Sequence, residues 1–128
     1  LLKIEPNSPT YLNAYAYTLA RQNRRLDEAR RYAEQALEYA PEQASILDTL
    51  GYIAFLQNDF DTAVKVLGQA YEISQNVNIG IRYAKALYMQ GALTQFSDVL
   101  HQLKQKHVNA PQLQQLDGLI LPVTVKKS

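Results

Sequence analysis

The chain has 128 residues, a formal net charge of +1 and no cysteine. Disulfides and thiolate metal sites are therefore excluded, and no apolar run approaches the roughly 20 residues that a spanning helix needs. The sequence starts at Leu1 rather than Met, so the lack of a basic-then-apolar leader excludes nothing about export. Acidic residues outnumber basic ones up to about residue 61 and the balance then reverses, a tilt too mild to announce nucleic acid or a membrane as partner.

Residues 1–8, LLKIEPNS, read as the tail of a preceding repeat, because Pro6 and Pro41 each stand three residues before a unit start. On that reading the chain continues a longer array. Ser8 and Pro9 form an N-cap and first helical position, opening a helix over 9–22. After the Asn23-Arg24-Arg25 turn, helices are expected over 26–39, 43–57, 60–74, 78–90 and 93–107. Asp59 can cap the fourth, and Gly91 sits where the fifth must stop. Pro111 takes the role of Pro9 again, so 111–119 reads as a short capping helix whose Leu113 and Leu116 cover the end of the stack. Beyond it, 120–128 is β-prone and apolar with Pro122 against helix, an extended tail. Two readings of that tail stay open: a frayed end, or Leu121 to Val125 lying in the groove of its own or a neighbouring molecule.

The helices fall into three helix-turn-helix units, 9–43, 44–76 and 77–110. Aligning them on Ala16, Gly51 and Ala84 stacks Leu12 with Leu47, then Leu19, Ala54 and Leu87, then Leu26, Phe60 and Leu93. Ala29 meets Ala63 and Ala36 meets Ala70, small residues where two helices approach closely. In the third unit Phe96 and Leu103 replace those alanines, which fits a terminal repeat. The first unit has one extra residue in its turn, and the join of the second and third is one residue short.

A period of about 34 residues with small residues at fixed places is the signature of a helical repeat. From Leu12 to Leu103 the chain resembles the tetratricopeptide repeat family, most closely in LDTLGYIAFLQNDFDTAVKVLGQA. The first two units, RLDEARRYAEQALEYAPE and ILDTLGYIAF, are similar in style to tandem repeat proteins of bacterial cell-envelope and polysaccharide-export systems; the compartment, envelope or cytoplasm, stays open. The resemblance implies an all-α fold, a right-handed α–α superhelix of about three repeats plus a short C-terminal capping helix. It also implies a concave groove, lined by the first helices, that binds a peptide or partner protein.

Helical spacing assigns to that groove Asn13, Tyr17 and Arg21 from unit one, and Asp48, Thr49, Tyr52, Phe55 and Leu56 from unit two. Unit three adds Ile81, Arg82, Lys85, Tyr88 and Met89, and Asn78 joins the groove at a position that the family resemblance implies. Tyr17 and Tyr52 are equivalent, and aromatics flanked by Arg21, Arg82 and Lys85 offer rigid contact area and donors for a carboxylate. Family members that clamp the acidic C-termini of heat-shock chaperones use Lys, Asn, Asn, Lys and Arg at five groove positions. The matching residues here are Asn13, Tyr17, Thr49, Asn78 and Arg82, and only Arg82 agrees. Phe55, Leu56, Ile81 and Met89 point to a more apolar ligand, an extended segment or an amphipathic helix.

His101 and His107 are six positions apart on one helix and face different sides, with no metal, nucleophile or phosphate-loop motif beside them. No catalytic residue, metal or cofactor is expected. Arg21, Arg24, Arg25, Arg30 and Arg31 form the densest basic cluster, the basis of an alternative reading as a single-stranded RNA-binding repeat. Asp27 and Glu28 interleave with it, and pairs such as Asp27 with Arg31 and Arg30 with Glu34 favour a solvated face. Self-assembly through exposed repeat ends is a further alternative.

Overall fold

The computed structural model describes residues 8–119. The readings of 1–7 as the end of an earlier repeat and of 120–128 as an extended tail, in or out of the groove, lie outside the described residues. Six α-helices follow one another: α1 Pro9–Arg21, α2 Leu26–Tyr39, α3 Ala44–Leu56, α4 Phe60–Ser74, α5 Val77–Gln90 and α6 Leu93–Lys106. A 3-10 turn, Pro111–Leu113, then runs into a helical segment at 114–119. The described residues are all-helical, as expected, and each predicted boundary lies within one residue of the observed one.

Local chemistry sets those boundaries. Ser8 Oγ accepts from the Tyr11 N–H at 3.4 Å, and Asp59 Oδ1 accepts from the Thr62 N–H at 3.2 Å. Each satisfies an orphan donor of a helix's first turn. Helix α5 starts at Val77 rather than at 78 because Asn76 Oδ1 accepts from the N–H groups of Asn78 and Ile79. Gly91 ends α5 at φ 90°, a conformation that a side chain disfavours. The extra residue of the first turn is absorbed by two left-handed residues, Asn23 (φ 52°) and Arg25 (φ 46°), where the second turn needs only Asn58 (φ 64°).

Consecutive helices pack as antiparallel neighbours, and the first helices also meet across units, α1 with α3 and α3 with α5. This is an α–α solenoid whose buried residues form one large core with two smaller clusters beside it, around Leu67 and around Leu12. Ala16, Ala84, Ala29, Ala63, Ala36 and Ala70 are fully buried at the close approaches. Gly51 is the tightest of these positions: a β-carbon there would overlap Cγ and Cδ2 of the fully buried Leu67.

The bulky third unit fits by an exchange of volume. Leu12 clusters with Ala36, and Leu47 shares the core with Ala70. The equivalent pair in unit three is Gly80 with Leu103, large and small reversed, with Leu103 and the Tyr71 ring filling the space that a β-carbon on Gly80 would need. Phe96 is likewise buried and meets Tyr88 edge-on at 5.3 Å. Leu113 and Leu116 are buried against the end of the stack, and Lys104 pairs with Asp117 at 3.2 Å to tie the segment down.

A polar seam joins successive units with the period of the repeat. Gln57 Nε2 donates to Asp27 Oδ1 at 2.9 Å, and the equivalent Gln90 Nε2 donates to Asp61 Oδ1 at 2.8 Å. The first helices of units two and three thus each end in a glutamine that reaches back to the start of the preceding unit's second helix.

Candidate functional site

Helix α3 presents Asp48, Tyr52 and Phe55 on successive turns, because residues four and three apart share a helix face. Helix α5 lies beside it and presents Asn78, Ile81, Arg82 and Lys85. With Gln115 from the terminal segment, six of these eight residues, all but Asp48 and Ile81 above the core, rim a cleft that Ile81 floors; its volume is about 290 Å³. Asp48 stands just behind it through Arg82.

Arg82 organises the site. Its guanidinium carbon lies 4.6 Å from the Tyr52 ring centre, a cation–π geometry, while Nε stands 3.5 Å from Asp48 Oδ1. At that distance the pair attracts without a good hydrogen bond, and both Asp48 Oδ1 and Arg82 Nη1 are enclosed with no hydrogen-bond partner among the described residues. Burial pushes the Asp48 carboxyl above its ordinary value, outweighing the attraction of Arg82. Burial, and next the charge of Arg82, hold the Lys85 ammonium below its ordinary value. Lys85 Nζ donates to Gln115 Oε1 at 2.7 Å.

The aromatic surface continues into the first unit. Tyr52 stands 6.1 Å from Tyr17, and Arg21 lies 5.8 Å from the Tyr17 ring centre. Arg21, Tyr17, Tyr52 and Arg82 therefore form a ladder across α1, α3 and α5, with a cation at each end.

Five residues assigned to the groove are placed differently from the cleft. Thr49 is 4% exposed and its hydroxyl donates to the Ser45 carbonyl at 3.0 Å, so it faces the core, because in α3 the turn's inward side is wider than the spacing implied. Leu56 lies with Asn23, Leu26 and Asp27 at the turn of the first unit. Tyr88 packs on Phe96, Met89 is half exposed away from the cleft lining, and Asn13 is half-buried in α1 with its Oδ1 enclosed. Ile81 does line the cleft but is 3% exposed, a floor rather than a free contact. Gln115 was missed: it belongs to a different segment, 30 residues from Lys85, and only Pro111 hinted that this segment returns to the stack.

Two of the five arginines of the basic cluster, Arg25 and Arg30, are held in ion pairs. Arg30 bridges Asp59 at 3.0 Å and Glu34 at 3.2 Å and donates to Gln57, and Arg25 pairs with Glu28 at 3.3 Å. The Arg30–Glu34 pair is the expected one, whereas Asp27 accepts from Gln57 in place of Arg31. Among the described residues no group of acidic or histidine side chains could hold a metal, and no helix is long and apolar enough to cross a membrane.

Comparison with known proteins gives the same architecture. A family model described as tetratricopeptide repeat matches residues 54–120, and a second of that description matches residues 9–43. A TPR repeat-containing protein of Pseudomonas aeruginosa is similar at 37% identity over 68 residues, a stretch that is 53% of this chain and 12% of that protein.

Proposed function

Because the chain belongs to the tetratricopeptide repeat family, whose repeats generally mediate protein–protein interaction, we propose that it is a noncatalytic module that binds a segment of a partner protein across the concave face of α1, α3 and α5. The observation that carries this is the ladder of Arg21, Tyr17, Tyr52 and Arg82, one rigid aromatic and cationic strip contributed by all three units. Aromatic side chains supply rigid contact area and arginines fork-like donors, the usual composition of binding anchors. The polar groups beside them are two cations, one carboxylate and amides, a set suited to recognition.

Ion pairing within the Arg25–Arg31 stretch weighs against the RNA reading.

Recovery of partners from a lysate of the source organism by the chain and by a Tyr52→Ala, Arg82→Ala double variant tests the surface. Loss of a specific partner from the folded variant is expected; equal recovery by both would place binding elsewhere.

A further inference from the structure

Two donors at the cleft lack the partner that their charge favours. Lys85 is half-buried, yet its Nζ donates to the neutral amide oxygen of Gln115, and Lys85 is in no ion pair among the described residues. Arg82 shares its charge with Asp48 at 3.5 Å while its Nη1 is enclosed and unpartnered. Two cations therefore face one carboxylate, and a cation partly withdrawn from water is held better by a carboxylate than by an amide.

We propose that the cleft anchors the carboxylate of an aspartate or glutamate side chain in an extended partner segment, and that the Gln115 amide oxygen holds that carboxylate's place on Lys85. This rests on the reading of the α1, α3 and α5 face as the binding surface. Gln115 is suited to the role: Leu113 and Leu116 are buried and fix the backbone around it, while Gln115 itself is exposed and can leave Lys85 by rotating its side chain. The entering carboxylate then has Lys85 Nζ as its donor and the Arg82 charge beside it, with Tyr52 and Phe55 under the neighbouring apolar residue.

The surface beyond the cleft selects a side chain in mid-segment over a chain terminus. It continues over Tyr52 and Tyr17 to Arg21 in steps of 4.6, 6.1 and 5.8 Å. These steps limit the span between the two guanidinium groups to about five extended residues at roughly 3.3 Å each. A second acidic residue four or five positions from the first meets Arg21, with an aromatic or apolar residue between them on the tyrosines. Charge complementarity at both ends makes the partner an acidic, apolar, acidic segment.

The test titrates the full chain, followed by NMR, with a blocked pentapeptide carrying glutamate at both ends and tyrosine in the middle, and with its glutamine analogue. The glutamate probe should bind about tenfold more tightly, the scale of one charge-assisted hydrogen bond partly open to water. Lys85→Gln and Arg82→Gln should each abolish the preference. Gln115→Glu should weaken the glutamate probe about as much by supplying an internal carboxylate, leave the glutamine probe unchanged and raise the Lys85 pKa. Equal affinity of the two probes, no binding of either, or an unaffected Gln115→Glu variant would overturn the proposal. So would tighter binding of a glutamine peptide with a free C-terminal carboxylate. If the preference is absent but Tyr52→Ala weakens both probes alike, the anchor fails while the groove stands; if Tyr52→Ala changes neither, the groove fails as well.

Discussion

Arg82 and Tyr52 stack with 4.6 Å between guanidinium carbon and ring centre, although they lie on different units and 30 residues apart in sequence. The stack fixes a long, flexible cation over a rigid ring and so shapes one wall of the cleft before any partner arrives. A double-mutant cycle with Tyr52→Leu and Arg82→Met should give a coupling of about 0.5–1 kcal/mol, the range for a cation–π contact near the surface. Coupling within error of zero in urea denaturation would mean that the contact carries no energy of its own.

Gly51→Ala is expected to destabilise the fold despite alanine's better helix propensity. The added β-carbon overlaps the branch point of Leu67, which has no space to retreat. Overpacking of about 1–3 kcal/mol exceeds the roughly 1 kcal/mol gained in propensity. Adding Leu67→Val to Gly51→Ala should cost less than the sum of the two single changes, as read from urea midpoints.

Gln57→Ala breaks the seam between the first two units. It removes a hydrogen bond to Asp27 and one from Arg30, each at 2.9 Å, so a loss of about 1–2 kcal/mol is expected. Gln90→Ala removes only the exposed bond to Asp61 and should cost about half as much. Equal, negligible losses would show the seam to be a surface ornament without energetic weight.

Asp59 and Asp48 should give stability opposite dependences on pH. Hydrogen bonds from Thr62 and then Arg30 hold Asp59 below the ordinary carboxylate value, against the effect of burial. Its contribution is present above the unfolded-state pKa and is lost as pH falls through the folded one. Burial holds Asp48 above the ordinary value. The folded state therefore retains that proton longer than the unfolded state, and stability falls as pH rises through the interval between the two pKa values. Relative to wild type, Asp59→Asn should remove acid-side stability loss and Asp48→Asn should remove the loss on rising pH, measured as urea midpoints across the carboxylate range. Slopes of the same sign would contradict this assignment.

Leu116→Ala should cost about 2–5 kcal/mol, since a fully buried leucine at the end of the stack is replaced by a cavity open to collapse. The same change should loosen Gln115 and with it the cleft. Hydrogen exchange at α5 and α6 checks both effects, and unchanged protection there would show that the segment does not cap the core.

The one-dimensional pattern determined the helices, their caps and the repeat register, because small residues at a fixed period, Ser8, Asp59 and Gly91 act through neighbours a few positions away. It also identified most of the cleft residues, since Tyr52, Phe55, Arg82 and Lys85 follow from helical spacing once the units are aligned and Asn78 from the family resemblance. Direction along a helix face was less legible. Thr49 and Ile81 turned inward and Tyr88 turned to Phe96, because how wide a face is buried depends on the helices packed against it. Gly80 opposite Leu103, the period-matched bonds of Gln57 and Gln90, and Gln115 on Lys85 were decided by tertiary structure alone. Each joins residues about 20 to 30 positions apart, and only the packing of one unit on the next brings such side chains within a few ångströms.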